Sequence, residues 1–325
     1  MTGSLLLAAL SFLMVVPWGN WAVGQLSKRG IVKRVRLDGP ASHQVKSGTA
    51  TMGGLYILAG IGIIALGLAL AGYPRALVPL VAMLVFGLLG AVDDLQGLRD
   101  AGGVGWLARH KLPWQWVLAA AVALVMFWAE ERHLVALPIS GDVLDIGWWW
   151  VPVTAVLIVA FSNAVNLADG LDGLAAGTSA IAYAAYGGIA GMSQPGVSLF
   201  CYALVGVLLA FLWYNVHPAR LFMGDTGSQA LGAGLAAVAV LSGHWVLLPI
   251  IGVVFIATAL SVILQVGYFK LTRRRYGEGR RIFRMAPLHH HYELLGWSEV
   301  QITLRYWIVA LVAATVGVVL GVGLR

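Results

Sequence analysis

The sequence contains few charged residues. Asp, Glu, Lys and Arg make up only 11% of its 325 residues, whereas 60% are hydrophobic. Because a soluble domain carries about 25% charged residues, this shortage excludes an ordinary soluble protein and predicts an all-α, polytopic integral membrane protein. The net charge of +7 does not indicate nucleic-acid binding, since the basic residues lie between hydrophobic runs, where they usually set the membrane topology.

Cysteine is almost absent, and the beginning of the chain lacks basic residues. Cys201 is the single cysteine and lies inside a hydrophobic run, which excludes a disulfide framework and a cysteine-based metal site. The first hydrophobic run, residues 5–23, precedes the first basic residue, Lys28. A cleavable signal peptide has the reverse order, so we expect a retained helix with its N-terminus outside.

The sequence contains about ten hydrophobic runs that suggest membrane spans. Several are shorter than the roughly 20 residues of an ideal span, so their boundaries are approximate. Ten transmembrane helices would place both termini on one side of the membrane. The runs comprise residues 4–24, 52–71, 76–92, 113–129, 148–163, 174–191, 196–214, 229–243, 245–268 and 302–322.

Basic residues are concentrated in the connecting segments on the side of the membrane opposite to the termini. These segments are residues 24–50, 93–112, 163–173, 215–228 and 268–300. Of the 21 Lys and Arg residues, all except Arg75, Arg132, Arg305 and Arg325 lie there. Because cytoplasmic loops carry an excess of Lys and Arg, these five segments are predicted to be cytoplasmic and both termini to be outside. The grouped acidic and histidine residues lie in the same segments, so we expect any chemistry on the cytoplasmic face.

Residues 163–173, Asn-Ala-Val-Asn-Leu-Ala-Asp-Gly-Leu-Asp-Gly, are unusually polar for a connection between two hydrophobic runs. A plain turn needs only Asn, Gly and one Asp. Asp169 and Asp172 are three residues apart and would share one face of a helix. The pattern favours a polar site at the membrane surface over a simple turn.

Three further carboxylates lie in the cytoplasmic segments. Asp93 and Asp94 end a hydrophobic run, where two adjacent carboxylates are costly without a partner, and Asp225 lies between two glycines where another run begins. A solvated helix end and an N-cap at Asp225 are the plain alternatives. Three carboxylates on one membrane face instead favour a Mg²⁺ site, because Mg²⁺ prefers oxygen ligands and usually retains substrate phosphates.

Two other segments contain groups suited to phosphate. Lys46 lies among hydroxyl residues before Thr51 and paired glycines, and so offers a cation and hydrogen-bond donors; the basic residues 28–36 are more typical of a lipid-headgroup anchor. His289, His290 and His291 are consecutive. Zinc-binding histidine pairs use wider spacings, so we favour contact with a pyrophosphate over a zinc site.

Four blocks of sequence together resemble the phospho-N-acetylmuramoyl-pentapeptide transferases, a family of the polyprenyl-phosphate N-acetylhexosamine-1-phosphate transferase superfamily. The blocks are residues 42–54, 163–173, 222–228 and 283–293. Their order and the ten-helix layout also agree, so the resemblance covers essentially the whole chain, residues 1–325, as one transferase domain. The histidine triplet after Met-Ala-Pro is typical of the muramoyl-peptide branch.

The resemblance implies a reaction and a location. The family transfers phospho-MurNAc-pentapeptide from UDP-MurNAc-pentapeptide to undecaprenyl phosphate, which releases UMP and forms lipid I. It also implies Mg²⁺ as cofactor, a lipid bilayer environment in the bacterial inner membrane, a homodimer, and a cytoplasmic active site formed by the five connecting segments.

Residue roles follow from the same resemblance. Asp93, Asp94, Asp225 and His289 match catalytic positions; Asp225 matches the metal-binding aspartate, and Asp93 and Asp94 are further candidate ligands. On this interpretation residues 163–173 hold the nucleotide while the reaction occurs at neighbouring segments. The positions that match substrate-binding residues are Lys46, Thr51, Asn166, Asp169, Asp172, Asn215, Phe222, Gln265, His290 and His291.

The chain departs from the family pattern at Gly97, where the family usually has a lysine three residues after the aspartate pair. Arg99, Arg109 or Lys111 could supply the missing cation. The segment between residues 273 and 281 is also a few residues longer than usual, which is consistent with a tolerated surface insertion.

The sequence leaves two chemical routes and two other functions open. A carboxylate could remove a proton from the lipid phosphate, or attack first and form a covalent intermediate. We favour direct in-line attack with Asp93 as the candidate base, because an ionised lipid phosphate is already a nucleophile. The functional alternatives are a UDP-GlcNAc-dependent sister transferase and a secondary transporter, which would have polar groups near the bilayer midplane and related halves.

Overall fold

The computed structural model describes residues 2–33, 48–100, 105–130, 133–137, 142–191 and 193–323. These residues form mainly α-helices. The helices are α1 (Thr2–Val15), α2 (Trp18–Lys28), α3 (Gly54–Leu70), α4 (Leu77–Arg99), α5 (Ala108–Ala129), α6 (Trp150–Ala168), α7 (Leu174–Ala190), α8 (Pro195–Asn215), α9 (Gly224–Leu241), α10 (Leu248–Ile251), α11 (Val253–Tyr276), α12 (Leu288–Glu293) and α13 (Glu299–Val322).

The predicted hydrophobic runs lie largely within helices. However, fewer than ten of the described helices are long and apolar enough to cross a membrane. In the described chain, α4, α5, α6, α8, α11 and α13 are long and apolar enough to cross a membrane. The count rises from 6 to 7 if α1 and α2, which meet at 45°, form one span. The structure therefore supports a multi-pass membrane protein, whereas ten spans and the position of the termini stay predictions.

Two of the predicted runs are interrupted. Pro17 lies between α1 and α2, and proline bends a helix because it lacks the backbone donor and clashes with the preceding turn. Residues 245–268, one hydrophobic run in the sequence, divide into a 3₁₀ turn (Trp245–Leu247), α10 and α11, with the interruption at Gly252. In contrast, α11 continues through Gly267 without a break.

The all-helical prediction missed a small β-hairpin in a segment that we expect to be outside. In this hairpin β1 (Leu134–Ala136) pairs antiparallel with β2 (Val143–Asp145). Three-residue strands are too short to show the alternation of apolar and polar residues that identifies a strand in a sequence.

The helix α9 lies at the centre of the bundle. All its residues except the first two are buried, and it packs most extensively against α4 and α6. A Cβ at Gly90 of α4 would lie 2.2 Å from the backbone oxygen of Asp225, and one at Gly54 of α3 would lie 2.1 Å from the backbone nitrogen of Gly227. Glycine therefore lets both helices approach the beginning of α9 closely.

Large apolar side chains are exposed on the outer helices. Examples are Leu70 in α3, Leu88 in α4 and Trp128 in α5. Water disfavours extensive apolar surfaces of this kind, whereas lipid tails do not. The distribution of exposed side chains thus agrees with helices that face a bilayer.

Candidate active site

The carboxylate of Asp94, near the end of α4, caps the N-terminus of α9. It accepts hydrogen bonds from the backbone N–H groups of Asp225 (3.0 Å) and Thr226 (2.9 Å) and from the Thr226 hydroxyl (2.6 Å). N–H groups in the first turn of a helix have no partner within it. Gly224 permits this contact, because its φ is +72° and a Cβ there would lie 2.6 Å from Asp94 Oδ2. Asp94 thereby holds Asp225 in place.

Lys111, in the first turn of α5, lies between two carboxylates. Its Nζ is 2.5 Å from Asp93 Oδ2 and 2.5 Å from Asp225 Oδ2. Asp93 also accepts a hydrogen bond from the backbone N–H of Trp106. The side chain of Asp93 is only 7% exposed, whereas that of Asp225 is 32% exposed. Asp225 is therefore the more accessible of the two to a ligand.

The position of Lys111 also bears on the missing lysine at Gly97. Of the three candidates considered from the sequence, it alone contacts the aspartates. Arg99 and Arg109 are exposed and form no ion pair with another described residue; Arg109 donates a hydrogen bond to His110.

Asp225 receives two further amide donors. Asn166 Nδ2 donates hydrogen bonds to Asp225 Oδ1 (2.9 Å) and to Ser228 Oγ (2.9 Å), and Gln229 Nε2 donates one to Asp225 Oδ2 (3.2 Å). Burial raises the pKa of Asp225, but Asp93 and the Lys111 ammonium lower it by more, so the pKa lies below its usual value. Asp225 is thus ionised at neutral pH.

A chain of carboxamides leads from the bundle to this cluster. Asn163 Nδ2 donates a hydrogen bond to Gln115 Oε1 (2.8 Å), and Gln115 Nε2 donates one to Gln229 Oε1 (3.1 Å). Sequence reasoning did not single out Gln115 or Gln229. Both are uncharged polar residues within hydrophobic runs, and such residues usually face the interior of a helix bundle. This pattern could have indicated them from the sequence.

The carboxylate cluster fits a Mg²⁺ ion. Asp93 and Asp225 offer hard carboxylate oxygens, which Mg²⁺ prefers, and their oxygens already share the positive charge of Lys111. The partial exposure of Asp225 leaves room for phosphate oxygens. Each of the three carboxylates already accepts hydrogen bonds through both of its oxygens, so the roles of Asp93, Asp94 and Asp225 as ligands stay predictions.

Asp172 connects the polar loop (residues 163–173) to its neighbours. Its Oδ2 accepts a hydrogen bond from the backbone N–H of Ala219 (3.1 Å) and lies 3.0 Å from His217 Nδ1, while its N–H donates to Glu299 Oε1 (2.6 Å). Asp172, His217 and Glu299 could also hold a metal ion, since their ligand atoms lie within 4.8 Å of one another.

Asn215 braces the same loop. Its Oδ1 accepts a hydrogen bond from the N–H of Gly173 (3.1 Å), and its Nδ2 donates one to the backbone oxygen of Leu221 (2.9 Å). Gly173 has a φ of +76°, which glycine adopts without strain. Asp172 and Asn215 are both buried, so in this structure they shape the wall of the site, and their contact with substrate stays a prediction.

Asp169 follows α6 directly and has a strongly shifted pKa. Burial raises the pKa to about 8, and the nearby charge of Lys33 opposes the shift. Lys33 Nζ also lies 5.0 Å from the centre of the Phe222 ring. Lys33 therefore lies near Asp169 and Phe222, which the family resemblance predicts to bind substrate. Sequence reasoning had assigned residues 28–36 to lipid headgroups and had not singled out Lys33.

The first sequence block is only partly described. Thr51 is buried, and its N–H donates a hydrogen bond to the backbone oxygen of Ile31 (3.1 Å). Ala50 O accepts a hydrogen bond from Phe222 N–H (2.8 Å), which joins the first block to the third. Lys46 lies outside the described residues.

His289, in the first turn of α12, packs against the polar loop. Its side chain is buried, and a Cβ at Gly170 would lie 2.2 Å from His289 Nε2. The N–H of Leu288 donates a hydrogen bond to Ser261 Oγ of α11 (3.0 Å). The structure thus brings the predicted catalytic histidine to residues 163–173.

The other two histidines contact their own segment. His290 Nδ1 lies 2.6 Å from Glu293 Oε2, and His291 Nδ1 accepts a hydrogen bond from the backbone N–H of Arg284 (3.1 Å). Their contact with substrate stays a prediction.

Gln265 of α11 holds the segment before the histidines. Its Oε1 accepts hydrogen bonds from the N–H groups of Ile282 and Phe283 (3.0 Å each), and its Nε2 donates one to Phe283 O (3.0 Å). These contacts are all with the protein's own backbone, and the role of Gln265 in substrate binding stays a prediction.

The residues from Asp93 to Asp225 fall within a recognised protein family. The family described as glycosyl transferase family 4 matches residues 76–243, which is more than half of the chain. The protein belongs to glycosyl transferase family 4.

The transferase also has curated relatives along nearly its whole length. The phospho-N-acetylmuramoyl-pentapeptide-transferase of Chloroflexus aurantiacus is 45% identical over 331 residues, which cover 98% of this chain and 89% of the relative. The proteins of that name from Desulforudis audaxviator and Shouchella clausii are 44% and 42% identical, and each alignment covers 96% of the relative. These relatives confirm the family resemblance over nearly the whole chain.

Proposed function

We propose that this transferase moves phospho-MurNAc-pentapeptide from UDP-MurNAc-pentapeptide to undecaprenyl phosphate, forming lipid I and UMP for peptidoglycan synthesis. The proposal rests on the near-full-length similarity to proteins named for this activity. The Asp93–Lys111–Asp225 cluster provides the charges that a phosphoryl transfer needs.

The reaction exchanges one phosphorus–oxygen bond for another. An oxygen of the lipid phosphate bonds to the phosphorus that carries the sugar, while the bond from that phosphorus to the bridging oxygen breaks and its electron pair leaves with UMP. Asp225 would hold Mg²⁺, and a bound Mg²⁺ offsets negative charge on the phosphates. Asp93 would be the base that takes the proton of the lipid phosphate or a second ligand of the ion. Lys111 keeps the two carboxylates together, and Asp94 orients Asp225 through α9.

The polar loop and Phe222 would bind the nucleoside end of the substrate. The raised pKa of Asp169 keeps much of its carboxyl protonated at neutral pH, so it can donate a hydrogen bond to a carbonyl oxygen of uracil. Phe222 offers an aromatic ring, and Lys33 beside it offers a cation for the nearby phosphate.

The same proposal includes a location. The protein would cross the bacterial inner membrane about ten times as a homodimer, with both termini outside and the active site in the cytoplasm. The distribution of Lys and Arg supports this orientation.

An assay of the detergent-solubilised protein with UDP-MurNAc-pentapeptide, undecaprenyl phosphate and Mg²⁺ tests the reaction, with UMP release as the readout. UMP release from UDP-GlcNAc instead would identify the sister transferase, and no release from either donor would favour a transporter. A phospho-sugar adduct on the protein, formed without lipid phosphate, would contradict direct attack.

Asp225→Asn tests the metal assignment. We expect turnover to fall at least about a hundredfold, as for loss of a charge-stabilising group, with little change in unfolding temperature, because the side chain is partly exposed. Asp145→Asn, at an exposed site in β2, is the control and should keep its activity. Undiminished Mg²⁺-dependent turnover in Asp225→Asn would rule the assignment out.

A further inference from the structure

The arginine segment, residues 270–284, comprises the end of α11, a helix long and apolar enough to cross a membrane, and the residues that follow it. It contains Lys270 and six arginines, at positions 273–275, 280, 281 and 284, but only one carboxylate, Glu278. Within the described part of the chain, none of these arginines forms an ion pair. The described residues therefore do not balance the positive charge of this segment with ion pairs.

The segment has a defined conformation. The helix α11 ends where Gly277 adopts a φ of +77°, and the chain then turns back along the helix. The N–H of Arg280 donates a hydrogen bond to Thr272 Oγ1 (2.8 Å). Gly279 packs against the ring of Phe269, since a Cβ there would lie 2.3 Å from that ring. These contacts hold the backbone that carries the arginines.

Aromatic and aliphatic side chains lie among the arginines. The guanidinium carbons of Arg275 and Arg280 lie 5.7 Å and 4.9 Å from the centre of the Tyr276 ring. Leu271, Tyr276 and Ile282 are all exposed. Exposed cations mixed with tyrosine and aliphatic side chains are typical of surfaces at the boundary between headgroups and acyl chains.

We propose that the arginine segment binds the headgroups of anionic phospholipids at the membrane surface. The location favours lipid over a free phosphate, because the positive surface begins where a membrane-capable helix ends. The apolar side chains can then enter the acyl region while the guanidinium groups reach the headgroup phosphates. The inference is independent of the proposed reaction and requires only that α11 crosses the membrane.

The arginine segment leads directly into the segment that carries His289. Gln265 holds Ile282 and Phe283 through three hydrogen bonds, and the chain continues from there to His289.

The test measures the affinity of the full-length protein in detergent for fluorescent phosphatidylglycerol and for fluorescent phosphatidylcholine. The variants are the pair Arg280→Gln and Arg281→Gln, and the charge-conserving pair Arg280→Lys and Arg281→Lys. Each basic residue near a membrane surface contributes about 1 kcal/mol to binding, and about 1.4 kcal/mol corresponds to a tenfold change in affinity. The glutamine pair should therefore bind phosphatidylglycerol about 30-fold more weakly. The lysine pair should stay within a few-fold of the wild type.

A third pair, Arg99→Gln and Arg109→Gln, removes the same charge from two exposed residues outside both basic segments and should have a much smaller effect. An equal loss in that pair, or equal affinity of the wild type for both lipids, would overturn the proposal. Displacement by inorganic phosphate at matched ionic strength would instead identify a free-phosphate site. If the glutamine pair does not fold, a wild-type affinity for phosphatidylglycerol that is insensitive to NaCl would contradict the proposal, because salt screens exposed charges.

Discussion

At the scale of single residues, Lys111 holds the carboxylate cluster together. Asp93 is buried beside it and Asp225 is partly exposed. Carboxylates this close repel each other unless a cation or a proton intervenes. The ammonium of Lys111 is the cation that the structure places between them.

Lys111→Met should destabilise the protein by about 3 kcal/mol, because removing one partner leaves the buried charge of Asp93 uncompensated. The double variant Lys111→Met with Asp93→Asn should recover part of the loss, since no buried charge then remains at position 93. The measurement is the free energy of unfolding in detergent. Arg109→Met, two residues before Lys111 in α5 and exposed, is the control; a loss as large in this variant would show that the ion pair is not the cause.

The pKa of Asp169 makes a second residue-scale prediction. In the folded protein without ligand it is raised from 3.8 to about 8. Between these values the folded state keeps a proton that the unfolded state releases, so this group lowers stability as the pH rises through that window. Asp169→Asn cannot ionise and lacks this effect.

Thermal unfolding of the wild type and Asp169→Asn across that pH range tests the prediction. The stability of the wild type relative to the variant should fall as the pH rises from 3.8 towards about 8. Parallel pH curves for the two proteins would show that Asp169 titrates normally.

The motif residues could be predicted from the sequence, but their partners could not. Asp93, Asp94, Asp225 and His289 are conspicuous as carboxylates and a histidine triplet in a hydrophobic chain, and the family resemblance implies their catalytic roles. Their contacts with α9, Lys111 and Gly170 join residues distant in sequence, which periodicity does not specify.

At the scale of elements, the close crossing of α4 and α9 positions the cluster. Gly90→Ala would place a Cβ 2.2 Å from the backbone oxygen of Asp225, so the two helices must separate. We expect lower thermal stability, by about 1–3 kcal/mol for overpacking, and reduced turnover, because Asp225 moves away from Asp94 and Lys111.

Gly62→Ala is the matched control for this crossing. It is also a glycine within a helix, but no heavy atom lies within 4 Å of a Cβ there, and alanine favours helix over glycine. Its stability should stay the same or increase. Equal behaviour of the two variants would mean that the α4–α9 contact does not control the position of Asp225.

At the scale of the whole molecule, the proposed orientation can be tested by cysteine labelling. Cys201 is buried and can be replaced by serine to give a background without cysteine. A cysteine at Asp142 should react with a membrane-impermeant maleimide in right-side-out vesicles. A cysteine at Glu278 should react only in inside-out vesicles. The reverse pattern would place the carboxylate cluster outside the cytoplasm.

The sequence by itself determined that the chain is a helical membrane protein and identified most of the candidate catalytic residues. Both follow from composition and from residues close together in the chain, which are local properties. Only the tertiary structure decided that Lys111 bridges Asp93 and Asp225, which lie 18 and 114 residues from it, and that Asp94 caps a helix 131 residues away. Such contacts depend on how closely the helices pack, and that is decided by shape complementarity along whole helices rather than by any single motif.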